Sequence, residues 1–183
     1  MVEHLGPTYF NAQDFQQIVT TICNFAGSQS ASLRQAASYG IGVVAQYGGE
    51  AFAATADLCL SSLKSAIDFA MTPKVEAKQM KVTQYNHARD NAIASLGKII
   101  KYKQAYINNN PQVAAQLIQY WLGLLPITHD VEEAQANYEY LSDFLVEQPQ
   151  FIFGSGDPAT TAGQLAKIYG ESFQDKYFGA ETD

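Results

Sequence analysis

The segment LRQAASYGIGVVAQY occupies residues 33–47 and is followed directly by Gly48 and Gly49. Its small and apolar residues recur at steps of three and four, the period of a helix with one apolar face: Leu33, Ala36, Ala37, Gly40, Ile41, Val44 and Tyr47. Because a glycine inside a helix costs about 1 kcal/mol relative to alanine, Gly40 and Gly42 indicate close packing. Gly48-Gly49 supplies a left-handed residue to end the helix. The segment predicts a helix sandwiched between other helices.

Composition and charge limit the class of protein. The chain has 183 residues, 47% of them hydrophobic, which is enough for one compact unit or one run of repeats. A formal net charge of -7 argues against a general binder of nucleic acid or anionic membranes and leaves basic peptides as partners. The charge is uneven, since from Gln104 onward only Lys167 and Lys176 are positive among many acidic residues.

The cysteines and the N-terminus indicate an intracellular chain. Cys23 and Cys59 lie among apolar residues without metal-type spacing, which favours reduced core cysteines in a cytosolic or nuclear protein. A disulfide and a zinc site remain the alternatives. No stretch approaches the ~20 apolar residues of a membrane span, and Glu3, His4 and Pro7 interrupt any signal peptide. We therefore expect a soluble protein.

Apolar periodicity predicts seven helices and no strands. Asn11 or Asp14 caps the first helix, Pro111 opens the fifth and Asp130 caps the sixth. The predicted helices are 11–25, 33–47, 51–69, 84–102, 112–125, 130–147 and 158–177. The predicted irregular segments are residues 1–10, the stop at Thr72-Pro73, a charged connection at 74–83, the turn Asn108–Pro111, the loop Gly154–Asp157 and the tail.

The even-numbered helices resemble one another, which indicates repeats. A shift of 55 residues brings Arg34 onto Arg89, and Gly42 onto Gly97; a further shift of 45 brings Gly97 onto Ser142. The predicted helix pairs are about 11–49, 50–104 and 111–148, with a last helix at about 158–177. Helix pairs recurring every ~40–47 residues are typical of HEAT or armadillo solenoids.

The predicted fold class is therefore all-α, an α-solenoid of stacked antiparallel helix pairs with about three and a half HEAT repeats. A compact helical bundle would fit the helix count equally well. The recurrence of a small residue at the same depth of each even-numbered helix favours stacked pairs over the bundle.

Three stretches, in this order, resemble the C-terminal HEAT repeats of the importin-beta (karyopherin-beta) family: LRQAASYGIGVVAQYGG (33–49), NAIASLGKII (91–100) and YWLGLLPITHDVEEAQANYEYLSDFLVE (120–147). The resemblance points to the karyopherin beta three branch, also called importin five, and runs from about Phe15 to Phe153. It implies a segment from the C-terminal part of a longer receptor. HEAT repeats usually place an aspartate six residues before the repeat arginine. This chain has Ser28 before Arg34 there, so the sequence does not support a full ladder of Asp–Arg pairs.

The resemblance also implies a function. Receptors of this family carry protein cargo through the nuclear pore, contact Phe-Gly nucleoporins and respond to RanGTP, which binds mainly through repeats outside this chain. We expect a shuttling protein of cytoplasm and nucleus with no cofactor, no direct nucleic acid and no membrane partner. The alternative is a non-transport HEAT or armadillo scaffold, such as a regulatory subunit. An enzyme is third, because no acid, base and nucleophile converge in the sequence.

An acidic stripe on the sixth predicted helix is the candidate binding site. Glu139, Asp143 and Glu147 follow one another at four-residue steps, a spacing at which like charges repel by a few tenths of a kcal/mol per pair. Such a stripe is either a solvated face or a concave surface that attracts Lys/Arg-rich cargo segments. The candidate cargo-binding residues are Glu132, Glu133, Asn137, Glu139, Tyr140, Asp143 and Glu147.

Three further motifs have simpler explanations. The GIGVVA run at residues 40–45 matches a dinucleotide fingerprint, but a helical pattern precedes it where a strand is required, so helix packing is favoured. The GSGD run at 154–157 lacks the spacing of a nucleophile or phosphate loop and is read as a surface turn. The apolar residues around Trp121 predict core packing, with an outer groove for Phe-Gly segments as the alternative.

Overall fold

The computed structural model describes residues 11–71, 79–109, 111–154 and 157–172, and within these ranges the chain is all-α without strands. The α-helices, numbered in chain order, are α1 (Ala12–Phe25), α2 (Ala31–Tyr47), α3 (Ala56–Met71), α4 (Gln79–Tyr102), α5 (Gln104–Asn108), α6 (Pro111–Leu124), α7 (Val131–Glu147), α8 (Pro149–Phe153) and α9 (Pro158–Ser172). A 3₁₀ helix, Gly49–Thr55, precedes α3. The helices pack in pairs, so the predicted all-α, HEAT-like fold class is confirmed.

Side chains that accept backbone N–H groups set where three helices begin. Asn11 accepts a hydrogen bond from the Asp14 amide at 2.9 Å and caps α1. Asp130 accepts from the Glu133 amide at 3.2 Å and caps α7. Both caps were predicted. Ser30 caps α2 in the same way, so this helix begins at Ala31 and is two residues longer than predicted.

Helix α2 lies between two neighbours, and its glycines face both of them. A Cβ atom built on Gly40 would lie 3.2 Å from Ile22 of α1, and one built on Gly42 would lie 2.6 Å from the Ser95 hydroxyl of α4. That hydroxyl donates to the Ser38 carbonyl at 2.6 Å, so the two backbones approach closely. The predicted sandwiching of this helix is confirmed, and the fingerprint-like run at 40–45 lies inside it.

The buried face of α2 differs in part from the predicted stripe. Leu33 and Ala36 are exposed, whereas Arg34 and Ser38 are fully buried. The prediction was wrong at Leu33 and Ala36, because the apolar stripe read from hydropathy is rotated by about one residue from the face of α2 that packs against its neighbours. Packing around Arg34 explains the difference.

The Arg34 guanidinium is buried against aromatic rings. Its carbon lies 3.9 Å from the centroid of the Phe69 ring and 4.9 Å from that of Tyr85, and Nη1 donates to the Ser28 carbonyl at 2.6 Å. Burial lowers the pKa of this arginine below its ordinary value. Ser28, which stands where HEAT repeats usually have an aspartate, therefore contacts the repeat arginine through its backbone.

Two predicted boundaries near α3 and α4 were wrong. The helix expected at 51–69 is a 3₁₀ helix, Gly49–Thr55, followed by α3 from Ala56. Gly49 has φ 58°, the left-handed geometry expected at the end of α2. Helix α4 begins at Gln79, inside the segment predicted as a connection.

The helices form two compact units, one ending at Lys103 and the other beginning at Gln104. In the first unit, α4 is the central element, because all ten of its residues 91–100 are buried. In the second unit, the core surrounds Trp121, whose indole N–H donates to the Asn137 side chain at 3.2 Å. Trp121 has no exposed surface, which confirms the core-packing interpretation of this residue.

The second unit contains two five-residue helices that periodicity did not predict, α5 and α8. Five residues are too few to show a helical period. The predictions for 1–10, 72–78, 110, 155–156 and 173–183 fall outside the described residues, which include Thr72-Pro73, part of the GSGD turn and the end of the last helix.

Candidate partner-binding surface

The candidate surface is the outer side of α7 in the second unit. Glu139 and Glu147 are exposed, Asp143 is half-buried, and Glu132 is exposed in the first turn of the helix. At 100° per residue these four carboxylates fall within a narrow sector of the helix, and we call them the acidic face. The structure thus brings four of the seven predicted residues together.

The other three predicted residues have different positions. Asn137 is fully buried; it accepts from Trp121 and donates to the Glu133 carbonyl at 2.8 Å. Glu133 is 9% exposed, and Tyr140 is half-buried at the edge of the acidic face. Asn137 therefore belongs to the interior of the second unit, where it contacts Trp121 of α6, and Glu133 is nearly buried in the first turn of α7.

Val146 was missed by the sequence reading. It is 83% exposed and lies seven residues after Glu139 and three after Asp143, positions that share one side of a helix. An exposed apolar side chain among carboxylates offers a partner both an apolar contact and charge. Its position seven residues after Glu139 could have placed Val146 on the acidic face from the sequence, but the sequence analysis considered only charged and polar residues there.

A cavity of about 220 Å³ opens elsewhere in the second unit, between the start of α6 and α8. Its wall is mostly apolar and carries two neutral amides. The lining residues are Ile107, Asn108, Pro111, Ala114, Ala115, Gln150, Phe151 and Gly154.

Two hydrogen bonds hold α8 beside this cavity. The Gln119 amide donates to the Ile152 carbonyl at 3.4 Å, and the Gln148 amide donates to the Gln104 side chain at 3.2 Å. An apolar cavity of about 150 Å³ is large enough to hold benzene, so this one can admit an aromatic side chain. None of the described residues that line it is charged, and it therefore suits an uncharged, apolar group.

The described ranges hold no metal-ligand cluster and no membrane-spanning helix. There, no three His, Cys, Asp or Glu side chains stand together as metal ligands would. His129 hydrogen-bonds its neighbour Thr128 at 2.9 Å, beside the Asp130 cap. No described helix combines the length and apolar character needed to cross a bilayer.

No family model matches this chain. Importin subunit beta-3 of Saccharomyces cerevisiae is 34% identical over 144 residues. The aligned part covers 79% of this chain and 12% of the relative, so the chain spans about an eighth of the length of the protein it matches.

Proposed function

We propose that this chain, which belongs to the importin-beta family, is a protein-binding scaffold segment of a nuclear import receptor. The observation that carries the proposal is the 34% sequence identity with importin subunit beta-3, over an alignment that covers 79% of this chain. In this proposal the segment acts by binding rather than catalysis. It carries basic cargo proteins through the nuclear pore and shuttles between cytoplasm and nucleus.

The acidic face supports basic cargo as the bound partner. From Gln104 onward the chain has only two lysines but eleven acidic residues, so the electrostatic potential of this part of the chain is negative and attracts cationic partners. Glu132, Glu139 and Glu147 are exposed on one side of α7, and Val146 projects among them. We propose that a Lys/Arg-rich cargo segment with an apolar side chain binds here.

The cavity beside α8 supports contact with Phe-Gly nucleoporins. Its volume of about 220 Å³ exceeds what one aromatic ring needs, and the described residues of its wall are mostly apolar and carry no charge. We propose that a nucleoporin phenylalanine enters it. The outer groove considered near Trp121 does not serve this purpose, because Trp121 and Leu122 are buried.

Ran control and the repeat organisation complete the proposal. RanGTP acts mainly through repeats outside this chain and releases the cargo. The helix pairs at about 11–49, 50–104 and 111–148, with a last helix from about 158, are proposed as successive HEAT repeats of the longer receptor. A boundary between compact units after Lys103 supports the division at the end of the second pair.

The cargo proposal is tested by removing charge from the acidic face of the full-length protein. The variant Glu139→Gln/Asp143→Asn/Glu147→Gln is titrated with a fluorescent Lys/Arg-rich peptide at several salt concentrations. We expect the affinity to fall about tenfold, because lost pairs contribute a few tenths to 1 kcal/mol each, and the salt dependence to weaken.

The matched control removes three exposed charges from the first unit, in Glu50→Gln/Asp57→Asn/Asp68→Asn. Both triple variants change the net charge equally, so a general charge effect would weaken both alike. Unchanged affinity and salt dependence in the α7 variant would identify the acidic face as a solubilising surface.

The cavity is tested with Ala115→Trp, whose ring would fill it. Ala115 is half-buried in the wall, so the larger side chain can enter the open space. We expect a Phe-Gly peptide to bind at least fivefold more weakly, while the basic peptide binds as before. Equal Phe-Gly binding by the variant and the unmodified protein would remove the cavity from the proposal.

A further inference from the structure

The two cysteines of the chain are neighbours in the first unit. Cys23 lies on α1 and Cys59 on α3, and their sulfur atoms are 4.0 Å apart. Both residues are buried, with 5% of Cys23 and none of Cys59 exposed, and both are free thiols. At this distance the sulfurs are in contact, with no room for another atom between them.

We propose that Cys23 and Cys59 form an oxidation-sensitive pair, which a hydroperoxide converts into a disulfide between α1 and α3. A disulfide requires sulfurs about 2 Å apart, so they must approach by about 2 Å. In this proposal, rotation about the two Cα–Cβ bonds and a small shift of α1 relative to α3 bring the sulfurs together. The proposal is independent of cargo and nucleoporin binding.

The two thiols have different chemical roles. The hydrogen bond with Cys59 lowers the pKa of Cys23 to about 7, assisted by Ser62 and opposed by burial. The same bond and burial raise the pKa of Cys59 above its ordinary value. Because Cys23 is the more exposed of the two thiols, peroxide reaches it first, and we assign it as the attacking thiolate, with Cys59 keeping its proton until the second step.

The reaction balances with hydrogen peroxide as oxidant. The Cys23 thiolate attacks one peroxide oxygen, and the O–O bond breaks. The hydroxide that leaves combines with the proton that Cys23 released when it ionised, and forms water. The Cys59 sulfur then attacks the Cys23 sulfenic acid, the S–S bond forms, and the S–O bond breaks. The Cys59 proton leaves with the oxygen as water. The two thiols lose two electrons and two protons, and the peroxide becomes two water molecules.

The bond would fix α1 against α3 across 36 positions of sequence. Closing such a loop restricts the unfolded chain more than the folded one, which raises the temperature of unfolding. Oxidation would thus stiffen the first unit without changing any charged surface.

The test treats the full chain with hydrogen peroxide and measures free thiols and intact mass after denaturation. We expect both thiols to disappear with a mass loss of about 2 Da, reversal by dithiothreitol, and a melting temperature at least about 5 °C higher. Peptide mapping without reductant should recover the Cys23 and Cys59 peptides joined together.

The single variants distinguish a pair from two separate cysteines. In Cys59→Ser we expect Cys23 to stop at a sulfenic acid that dimedone captures, and in Cys23→Ser we expect Cys59 to stay a thiol. Retention of two thiols in the unmodified chain, or oxidation of each cysteine with a gain in mass and no cross-link, would overturn the proposal.

Discussion

The guanidinium carbon of Arg34 lies 3.9 Å from the centroid of the Phe69 ring. The ring of Tyr85 lies on the same guanidinium at 4.9 Å, and the two rings are nearly parallel, with an interplanar angle of 11°. Phe69 is near the end of α3 and Tyr85 near the start of α4. One arginine of α2 therefore joins the ends of two further helices, which gives the repeat arginine a structural role without an aspartate.

Arg34→Lys should lower the free energy of unfolding by about 1–2 kcal/mol. A lysine keeps the charge, but its compact ammonium cannot lie flat on both aromatic rings. Urea unfolding of the variant and of the unmodified chain measures the difference. Arg89→Lys is the matched control, since Arg89 is the equivalent residue by repeat alignment and is partly exposed beside Asp90. We expect the control to change stability by less than about 0.5 kcal/mol, and equal losses in both would contradict the stacking account.

Gly42→Ala should destabilise the first unit by about 1–3 kcal/mol through overpacking. The new Cβ would lie 2.6 Å from the Ser95 hydroxyl and 3.0 Å from the Lys98 side chain, so these buried side chains, or α2 and α4 themselves, would have to shift. Gly163→Ala is the control, because that glycine of α9 has open space around it. There we expect a gain of about 0.5–1 kcal/mol from helix propensity. Thermal unfolding of the two variants should give shifts of opposite sign, and two gains would show that the α2–α4 approach is looser than described.

The start of α9 should depend on pH. Asp157 accepts hydrogen bonds from the Thr160 amide at 2.8 Å and the Thr160 hydroxyl at 2.7 Å, which hold the pKa of Asp157 below its ordinary value of 3.8. Because the unfolded chain binds the proton more readily, the cap is fully stabilising above pH 3.8 and is lost as the pH falls through the lower folded value. An NMR titration should place the midpoint of the Thr160 amide shift below 3.8. Asp157→Asn should abolish the titration, and a midpoint at or above 3.8 would contradict the capping account.

Much of the fold follows from local patterns in the sequence. Asn11, Asp130 and Pro111 are residues whose chemistry favours a helix start, and each lies at one. Gly40 and Gly42 indicated close helix packing, because glycine destabilises a helix interior relative to alanine and is favoured there where a neighbouring helix leaves no room for a side chain. These features depend on residues near one another in sequence, so a single sequence carries the information.

The features that were missed depend on contacts between distant residues. Arg34 is buried because Phe69 and Tyr85 cover it, and Asn137 is buried because Trp121 requires an acceptor. Polarity alone places both residues on the surface. For the same reason, the sequence identified the carboxylates of the acidic face but counted Asn137 with them. The cavity beside α8 was also missed, since a five-residue helix has no readable period.

Cargo release by RanGTP tests the central claim most directly. The full-length protein is loaded with a fluorescent Lys/Arg-rich cargo, and the bound fraction is measured after RanGTP or RanGDP is added. We predict that RanGTP releases the cargo and RanGDP does not, and that the α7 triple variant loads less cargo from the start. Cargo that stays bound equally in both nucleotide states would contradict an import receptor and favour a non-transport scaffold.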